Sequence, residues 1–375
     1  MMRKLLVLSL ACMSMNAWSG PREQAIKLHN RLTGVPPTTA TLNQMINLIN
    51  AQDEVAAAKV ALERPEFYNI KAKNWIKTWT NEARTNRAPL NDYVATVLGM
   101  IRDDRPFNEI LTEDILYIGR AGLANVDAYE DNNNDHYEDL ERLRVDLKAD
   151  LVPTTQSAMN NIAATAGVIT TRASGEAFFS AGTNRRMTRF LFINFLCHDF
   201  EALHDITVPD IYVRRDVERD PGGDSRTYKN TCVGCHAGQD ALGGAWAYYD
   251  FTGNRVVYQA GNVRSKINAN NYFPEGHQVT DDSWVNLWTM GQNSTLGWGP
   301  TTSGNGAKSF GQMLTQTQAF GKCMAQRSFE MACTRSPMTD EERNLITTLG
   351  QEFMSTDNYN MKTLIAKVAV NCMGE

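Results

Sequence analysis

The residues with the clearest chemical use lie in the stretch Cys232-Val-Gly-Cys235-His236. Two cysteines with two residues between them, and a histidine directly after the second, have the spacing at which both thiols can bond to the vinyl groups of one haem. The adjacent imidazole can then take the iron. The motif predicts one covalent haem c, held by Cys232 and Cys235, with His236 as an iron ligand.

The cysteine pair has three other interpretations. Half of a zinc site would need a second ligand pair, and no other histidine lies in a cysteine- or histidine-paired cluster of zinc-finger spacing. A thioredoxin-like pair follows a strand in a βαβ pattern, whereas Pro221-Gly-Gly-Asp-Ser predicts a loop before this motif. A structural disulfide between Cys232 and Cys235 stays open, and so does a zinc site whose other ligands are scattered along the chain. Haem attachment is the favoured hypothesis.

Residues 1–19 have the pattern of a bacterial Sec-type signal peptide. Arg3 and Lys4 are followed by the apolar segment Leu5 to Met13, which is too short to span a bilayer. Ala17-Trp18-Ser19 is a cleavage site of the small-x-small type. No later segment is long and apolar enough for a membrane span. We therefore expect a periplasmic or secreted protein, which agrees with the motif because c-type haem is attached outside the bacterial cytoplasm.

The remaining cysteines predict disulfides. With the motif pair and Cys12 of the signal peptide set aside, Cys197, Cys323, Cys333 and Cys372 are left. An even number in an oxidising compartment predicts one or two bridges, with three pairings open. Short connections make neighbouring helices of the predicted C-terminal bundle antiparallel, so its first and third helices run parallel. Their C-terminal ends, which carry Cys333 and Cys372, then lie at the same end of the bundle and favour a Cys333–Cys372 bridge. Cys197 and Cys323 would be left as a second pair.

Composition and motifs exclude several function classes. Lys and Arg number 37 against 42 Asp and Glu, a formal net charge of −5, so the chain has no basic footprint for nucleic acid. No P-loop, Rossmann glycine pattern or Ser-His-Asp order indicates nucleotide or hydrolase chemistry. The 375 residues are enough for two or three domains.

Hydrophobic periodicity predicts a mainly α protein of three domains. Residues 20–186 form a helical domain, residues 187–305 an irregular, cytochrome c-like haem-motif domain, and residues 306–375 a three-helix bundle. The middle segment is rich in Gly, Asn, Asp and Pro with interleaved aromatic residues, so haem would serve as the nucleus of its core. Helices are predicted at Thr41–Leu62 (interrupted near Gln52 and Asp53), Lys71–Asn81, Tyr93–Ile101, Asn108–Tyr117, His136–Leu147 (capping box Asp135, Glu138), Met187–His204, Phe310–Cys333, Thr339–Met354 (capping box Thr339, Glu342) and Asn360–Cys372.

Three stretches resemble the planctomycete-type cytochrome c family of multi-domain exported proteins. They are Arg31-Leu-Thr-Gly-Val-Pro-Pro-Thr, similar to the LTGxPP segment; Cys232-Val-Gly-Cys-His-Ala-Gly-Gln-Asp-Ala-Leu-Gly-Gly with Tyr249-Asp250, similar to CxxCHxxxDPLGxxxxxFD; and Phe320 to Arg335 with Tyr359 to Ile365, similar to the C-terminal helical module. Ala241 stands where the family has proline, and Cys333 where it usually has another residue. The resemblance implies haem attachment and export, and names no reaction.

The other axial position of the iron separates the function hypotheses. Met290, in a Gly- and Trp-rich loop, is the predicted distal ligand, with Met313 and His277 as alternatives. A methionine there favours electron transfer with an unidentified redox partner protein. An open position near His277 or His204 would instead suit a haem enzyme or sensor. A secreted binding or scaffold protein with a disulfide at the motif is the third hypothesis, and the sequence leaves open whether the protein is an enzyme.

Overall fold

Helices dominate the computed structural model of the protein, which describes residues 20–373. Helix accounts for 55% of the chain, so the predicted mainly α class is confirmed. The predicted signal peptide, residues 1–19, lies outside the described residues. Within the described part, no helix is both long enough and apolar enough to cross a membrane.

The helices and strands are distributed along the whole described chain. The helices of the first half are α1 (Pro21–Thr33), α2 (Thr39–Asn50), α3 (Glu54–Leu62), α4 (Lys73–Lys77), α5 (Asp92–Arg102), α6 (Asp135–Arg142), α7 (Leu147–Asp150), α8 (Gln156–Met159) and α9 (Arg172–Phe178). Those of the second half are α10 (Arg185–Leu191), α11 (Ser225–Thr227), α12 (Val233–Leu242), α13 (Gly306–Thr315), α14 (Gln318–Cys333), α15 (Asp340–Met354) and α16 (Met361–Val370). The strands are β1 (Leu116–Gly119), β2 (Leu151–Thr154), β3 (Tyr249–Thr252), β4 (Arg255–Tyr258), β5 (Ser283–Val285) and β6 (Ser303–Asn305).

Each pair of strands forms a small antiparallel sheet of its own, β1 with β2, β3 with β4 and β5 with β6. Three π-helical segments continue or precede α-helices, namely Phe67–Ala72, Phe192–Leu196 and Tyr228–Cys232. Single-turn 3₁₀ segments are Phe107–Leu111, Asp210–Tyr212, Pro221–Gly223, Gly243–Trp246, Ser265–Asn268, Leu287–Thr289 and Gly291–Leu296. Such short elements cannot form a core alone, so the middle of the chain depends on packing against the longer helices.

Local capping residues explain where several helices begin and end. The predicted break between α2 and α3 is confirmed, and the Asp53 side chain accepts a hydrogen bond from the Ala56 amide at the start of α3. The predicted capping box of α15 is also present between Thr339 and Glu342. The helix α1 ends at Gly34, whose φ of 80° is in the left-handed region that glycine adopts most easily.

Four predicted elements were wrong. The helix predicted over Met187–His204 ends at Leu196, because Cys197 takes up a left-handed φ of 58°. Asn108–Tyr117 is a 3₁₀ turn followed by β1, because Leu116–Gly119 pairs with Leu151–Thr154 from a distant part of the chain. The predicted first helix of the C-terminal bundle is two helices, α13 and α14, because the Gln318 amide donates to the Gly297 carbonyl. The capping box at Asp135 is absent, since Asn134 precedes the first residue of α6 without a side-chain cap.

One large hydrophobic core runs through the described residues, and a small separate cluster contains Ala247, Ile267 and Val279. Helices α14, α15 and α16 pack against one another, and α16 also packs against α3 near the other end of the chain. The core contains the fully buried rings of Trp79, Trp246 and Trp288. The N-terminal helices and the C-terminal helices therefore share buried contacts, and the irregular middle of the chain packs onto the same core.

A carboxylate between two lysines makes the N-terminal half sensitive to acid. Lys77 Nζ lies 2.6 Å and Lys73 Nζ 2.9 Å from Glu141, which also accepts from the Leu90 amide at 2.8 Å. Burial raises the pKa of Glu141, but the hydrogen bonds from both lysines outweigh it and lower the pKa to about 2. The ionised pair therefore stabilises the fold above the ordinary glutamate pKa of 4.5, and this contribution is lost as the pH falls toward 2.

Replacing Glu141 by glutamine should destabilise the fold by about 3 kcal/mol at neutral pH, because it leaves the buried ammonium of Lys77 without a carboxylate. The loss of stability between about pH 5 and pH 2 should become shallower in the same variant. Urea unfolding across this pH range measures both effects. Glu138→Gln, at an exposed position on the same helix, is the control. Equal stability of the two variants would contradict the prediction.

Candidate functional site

The motif lies on one continuous helical run formed by α11, the π-helical segment Tyr228–Cys232 and α12. Cys232, Cys235 and His236 are three and four positions apart, so they share one face of this run. All three are half-buried, whereas Val233 and Ala237 on the other side are buried. The motif follows a helix and a loop, without the preceding strand that a thioredoxin-like site requires.

The opposite side of α12 is held by aromatic rings that need glycine beneath them. A Cβ at Gly234 would overlap the His204 ring, and a Cβ at Gly238 would overlap the Trp288 ring. The Asp205 amide also donates to the Gly234 carbonyl at 2.9 Å. These contacts fix the rotation of α12 about its axis, so Cys232, Cys235 and His236 lie on its other face, where both cysteines are half-buried and pack against the edge of the core.

Gly238→Ala should therefore destabilise the protein by about 1–3 kcal/mol, because the added methyl overlaps the buried Trp288 ring. Urea unfolding monitored by far-UV circular dichroism measures the change. Lys229→Ala, at an exposed position one turn before the motif, should change stability by less than about 0.5 kcal/mol. A Gly238 variant as stable as the Lys229 variant would mean that Trp288 does not pack on this helix.

A buried carboxylate orients the motif histidine. His236 Nδ1 lies 3.4 Å from both carboxylate oxygens of Asp240, whose side chain is fully buried. Arg185 donates to Asp240 at 2.6 and 2.9 Å, and the Arg214 amide donates to it at 3.0 Å. Burial raises the pKa of Asp240, but Arg185 and then His236 hold it well below its ordinary value. The ionised carboxylate favours a proton on Nδ1, which leaves His236 Nε2 available as a metal ligand.

The carboxylate belongs to a buried ionic cluster. Arg185 also donates to Asp216 at 2.5 and 2.7 Å. Arg214 is buried beside Gly243, and Nη1 donates to the Thr183 carbonyl at 3.1 Å. Sequence reasoning missed this cluster. The one signal of this cluster in the sequence is the position of Asp240, four residues after His236, which puts both side chains on one helix face. The arginines come from other segments, so local spacing could not indicate them.

Both motif cysteines carry free thiols. The Cys235 sulfur lies 3.5 Å from the Phe200 carbonyl. Burial raises the pKa of Cys235, and the nearby carboxylates of Glu201 and Asp199 raise it further. Redox-active cysteine pairs depend on a lowered thiol pKa, so this environment is unlike that of a thioredoxin-type site.

Several exposed apolar side chains belong to segments that contact the motif helix. Ile206 (54% exposed), Ile211 (69%), Tyr272 (68%) and Met290 (77%) are four of the seven exposed large hydrophobic residues of the described chain. We call these four residues the apolar rim.

Backbone contacts connect the members of the apolar rim to the motif helix. Ile206 follows Asp205, whose amide donates to the Gly234 carbonyl. Ile211 lies in the 3₁₀ turn Asp210–Tyr212, which packs against α12. Met290 comes two residues after Trp288, the ring that packs on Gly238. Arg219 stacks on both Tyr228, at the start of the helical run, and Phe273, next to Tyr272.

The three candidate distal ligands have different environments. Met290 is exposed on the apolar rim. Met313 is fully buried, and its Sδ atom lies 3.4 Å from Asn286 Nδ2. His277 stacks on Tyr212 with a centroid separation of 5.2 Å and lines a cavity of about 200 Å³ together with Asp240. Burial and Arg214 lower the pKa of His277. The structure thus brings only His277 to the cavity beside the carboxylate that contacts His236.

The other four cysteines form two pairs at disulfide distance. Cys333 and Cys372, at the ends of α14 and just beyond α16, are bonded with Cα atoms 5.6 Å apart, which confirms the predicted pairing. Cys197 and Cys323 form the second pair, with Cα atoms 5.3 Å apart. The second bridge ties the end of the segment Phe192–Leu196 to α14. Both pairs agree with an oxidising compartment.

No described set of three or more His, Cys, Asp or Glu side chains has the arrangement of a metal site, so the ligands of a structural zinc site are not gathered in this part of the chain. No protein-family model, curated protein sequence or solved structure matches the chain.

Proposed function

We propose that the protein is an exported c-type haem protein that acts in periplasmic electron transfer. Cys232 and Cys235 would hold one haem covalently, and His236 would ligate its iron. The observation that carries the proposal is the half-exposed face of α12, on which two free thiols and an imidazole oriented by Asp240 lie together.

The residues present fit a covalently attached haem. The thiols are unbonded and therefore available for addition to vinyl groups, and Asp240 directs His236 Nδ1 away from the open face. When bound, the haem supplies one-electron oxidation and reduction. The Asp240 carboxylate makes the His236 imidazole a stronger electron donor, since hydrogen-bonded carboxylates raise the basicity of ligating histidines. The cavity beside Asp240, of about 200 Å³, is smaller than the usual range of about 300–1,000 Å³ for ligand pockets. A porphyrin would therefore lie on the half-exposed face of α12 and not inside this cavity.

The proposal also covers how the chain divides into domains and which protein family it belongs to. Residues 20–186 would be a helical domain, residues 187–305 a cytochrome c-like haem-motif domain and residues 306–375 a three-helix bundle, as in the planctomycete-type cytochrome c family that the chain resembles. Residues 1–19 would be a signal peptide that directs the chain to the periplasm or outside the cell. The two oxidised cysteine pairs support export, because such bridges persist in oxidising compartments.

Expression of the full chain with a c-type maturation system tests the proposal. We expect a purified protein with one haem, a reduced spectrum of the c type and a pigment that stays with the polypeptide after denaturation in acidified acetone. Expression without the maturation system is the control and should give colourless protein. A colourless product under both conditions, or pigment that leaves with the acetone, would contradict haem attachment.

Met290 is the proposed distal ligand. The Met290 side chain is 77% exposed and lies on the apolar rim, so it can turn toward the iron side without breaking core contacts. The oxidised protein should then have the methionine-sulfur to iron charge-transfer band at the red end of the spectrum, and Met290→Ala should abolish it. Met313→Ala, which changes a buried methionine, is the variant to compare with Met290→Ala. A band that survives Met290→Ala would assign the ligand to another residue, and no band in the wild type would favour His277 or an open position.

A haem enzyme or sensor with an open coordination position is the second candidate. The solvent exposure of Met290 and the position of His277 in a cavity beside Asp240 favour it. Rapid binding of carbon monoxide to the reduced protein would support an open position, whereas a six-coordinate carrier should bind it slowly or not at all. A secreted scaffold protein with a Cys232–Cys235 disulfide is less favoured, because both thiols are free.

A further inference from the structure

A second cavity, of about 630 Å³, lies between α10 with its π-helical continuation and α14. Four arginines line it: Arg84, Arg186, Arg189 and Arg327. Phe190 and Ile193 also line it and supply apolar surface. Its volume is within the usual range of about 300–1,000 Å³ for pockets that enclose small ligands. Three carboxylates, Glu82, Asp199 and Glu330, line it as well, so the four arginines exceed the acidic side chains by one positive charge. The cavity therefore has the size, and a net positive charge, suited to a small anion.

Two of the four guanidinium groups already have carboxylate partners. Arg186 forms an ion pair with Glu82 at 2.9 Å, and Arg189 forms a bidentate ion pair with Asp199 through hydrogen bonds of 2.6 and 2.7 Å. Arg84 has no ion pair with any described residue. Arg327 likewise forms no ion pair with a described carboxylate, although Glu330 lines the same wall. Arg84 and Arg327 together therefore carry one positive charge more than the carboxylate at this wall.

Arg327 is held in place by its neighbours. The residue is only 5% exposed, and its Nε and Nη2 donate to the Asn194 and Ile193 carbonyls at 2.8 and 2.6 Å. The Cys197–Cys323 bridge ties the same two segments together one helical turn before Arg327. Arg327 Nη1 donates to no described residue. The guanidinium is therefore fixed beside the cavity with one nitrogen still able to donate.

Repulsion between the two unpaired arginines favours an anion at this place. Burial lowers the pKa of Arg327 to about 10, and the positive charge of Arg84 contributes to this shift, while the negative charge of Glu330 partly opposes it. Arg84 and Arg327 also line the adjoining smaller cavity together, so the two side chains share this wall. An oxyanion between them would accept charge-assisted hydrogen bonds and remove the repulsion.

We propose that this cavity binds a small anionic solute through a carboxylate or phosphoryl group held between Arg84 and Arg327, with Phe190 and Ile193 against its apolar part. The inference does not depend on haem attachment. Arg189 at the cavity also interacts electrostatically with Cys235, so a haem propionate is the other source of the same carboxylate chemistry. The experiment therefore includes chains with and without the haem-binding cysteines.

Calorimetric titration of the full-length mature protein with inorganic phosphate, and separately with succinate, tests the site. The wild type should bind at least one of them with an affinity that falls as salt is added. Arg84→Gln should weaken binding at least roughly tenfold, since it removes a charged donor that makes no ion pair in the fold. Arg120→Gln, at a surface arginine paired with Asp150, should leave the affinity unchanged. No binding by the wild type, or equal affinity of Arg84→Gln and wild type, would overturn the proposal.

The chain with Cys232→Ala and Cys235→Ala separates the two sources of the anion. A site for a free solute should bind phosphate or succinate equally in this chain and in the haem-loaded wild type. Binding only in the chain without the motif cysteines would mean that a propionate fills the cavity, which overturns the proposal of a free solute. If no haem attaches to the wild type, the titration still decides the anion site, so the two proposals fail separately.

Discussion

Replacing both motif cysteines, Cys232→Ala with Cys235→Ala, should abolish the covalent haem and leave the chain folded. The thiols lie on the half-exposed face of α12, and the helix is held from its other side by His204 and Trp288. Removal of the sulfurs therefore takes away the attachment points and costs only the partial core packing of two half-buried side chains. Mass spectrometry of the denatured protein measures the loss of the haem adduct, and circular dichroism checks the fold.

A variant that lacks two cysteines elsewhere is the matched control for this prediction. Cys333→Ala with Cys372→Ala removes the same number of sulfurs from the C-terminal bundle and should keep one haem per chain. Survival of the adduct in the motif variant would contradict attachment at Cys232 and Cys235. Loss of the adduct in both variants would indicate a general failure of folding or export.

Removing the Cys197–Cys323 bridge should cost the most stability of any change proposed for this protein. The two residues are 126 positions apart, so in the chain-entropy model the bridge restricts the unfolded chain by about 4–5 kcal/mol. Cys197→Ala with Cys323→Ala should lower the free energy of unfolding by about this amount. Urea unfolding of the oxidised protein measures it. The variant should also lose part of the support for Arg327, which lies one turn beyond Cys323.

The second bridge is the internal comparison. Cys333 and Cys372 are 39 positions apart, so the Cys333→Ala, Cys372→Ala variant should lose about 3–4 kcal/mol, less than the first. Peptide mapping of the non-reduced protein should recover Cys333 linked to Cys372. Recovery of Cys333 as a free thiol, or linked to any other cysteine, would contradict the arrangement of α14 and α16.

Elements that depend on neighbouring residues could be predicted from the sequence. The break between α2 and α3 and the capping box of α15 each involve residues within a few positions of one another. The predicted helix over Asn108–Tyr117 failed because a strand there pairs with Leu151–Thr154. Local periodicity contains no information about a partner that lies so far along the chain.

For the candidate site, the sequence by itself determined the order of the two thiols and the imidazole, and the helical spacing then puts them on one face. Only the tertiary structure decided which side of that helix stays open, because His204 and Trp288 come from other segments. It also decided the ionisation of Asp240, through Arg185 from 55 residues earlier. The cavity lined by Arg84, Arg186, Arg189 and Arg327 corresponds to no motif in the sequence. Burial and Coulomb interactions depend on distances between residues far apart in the chain, and those distances exist only once the core has formed.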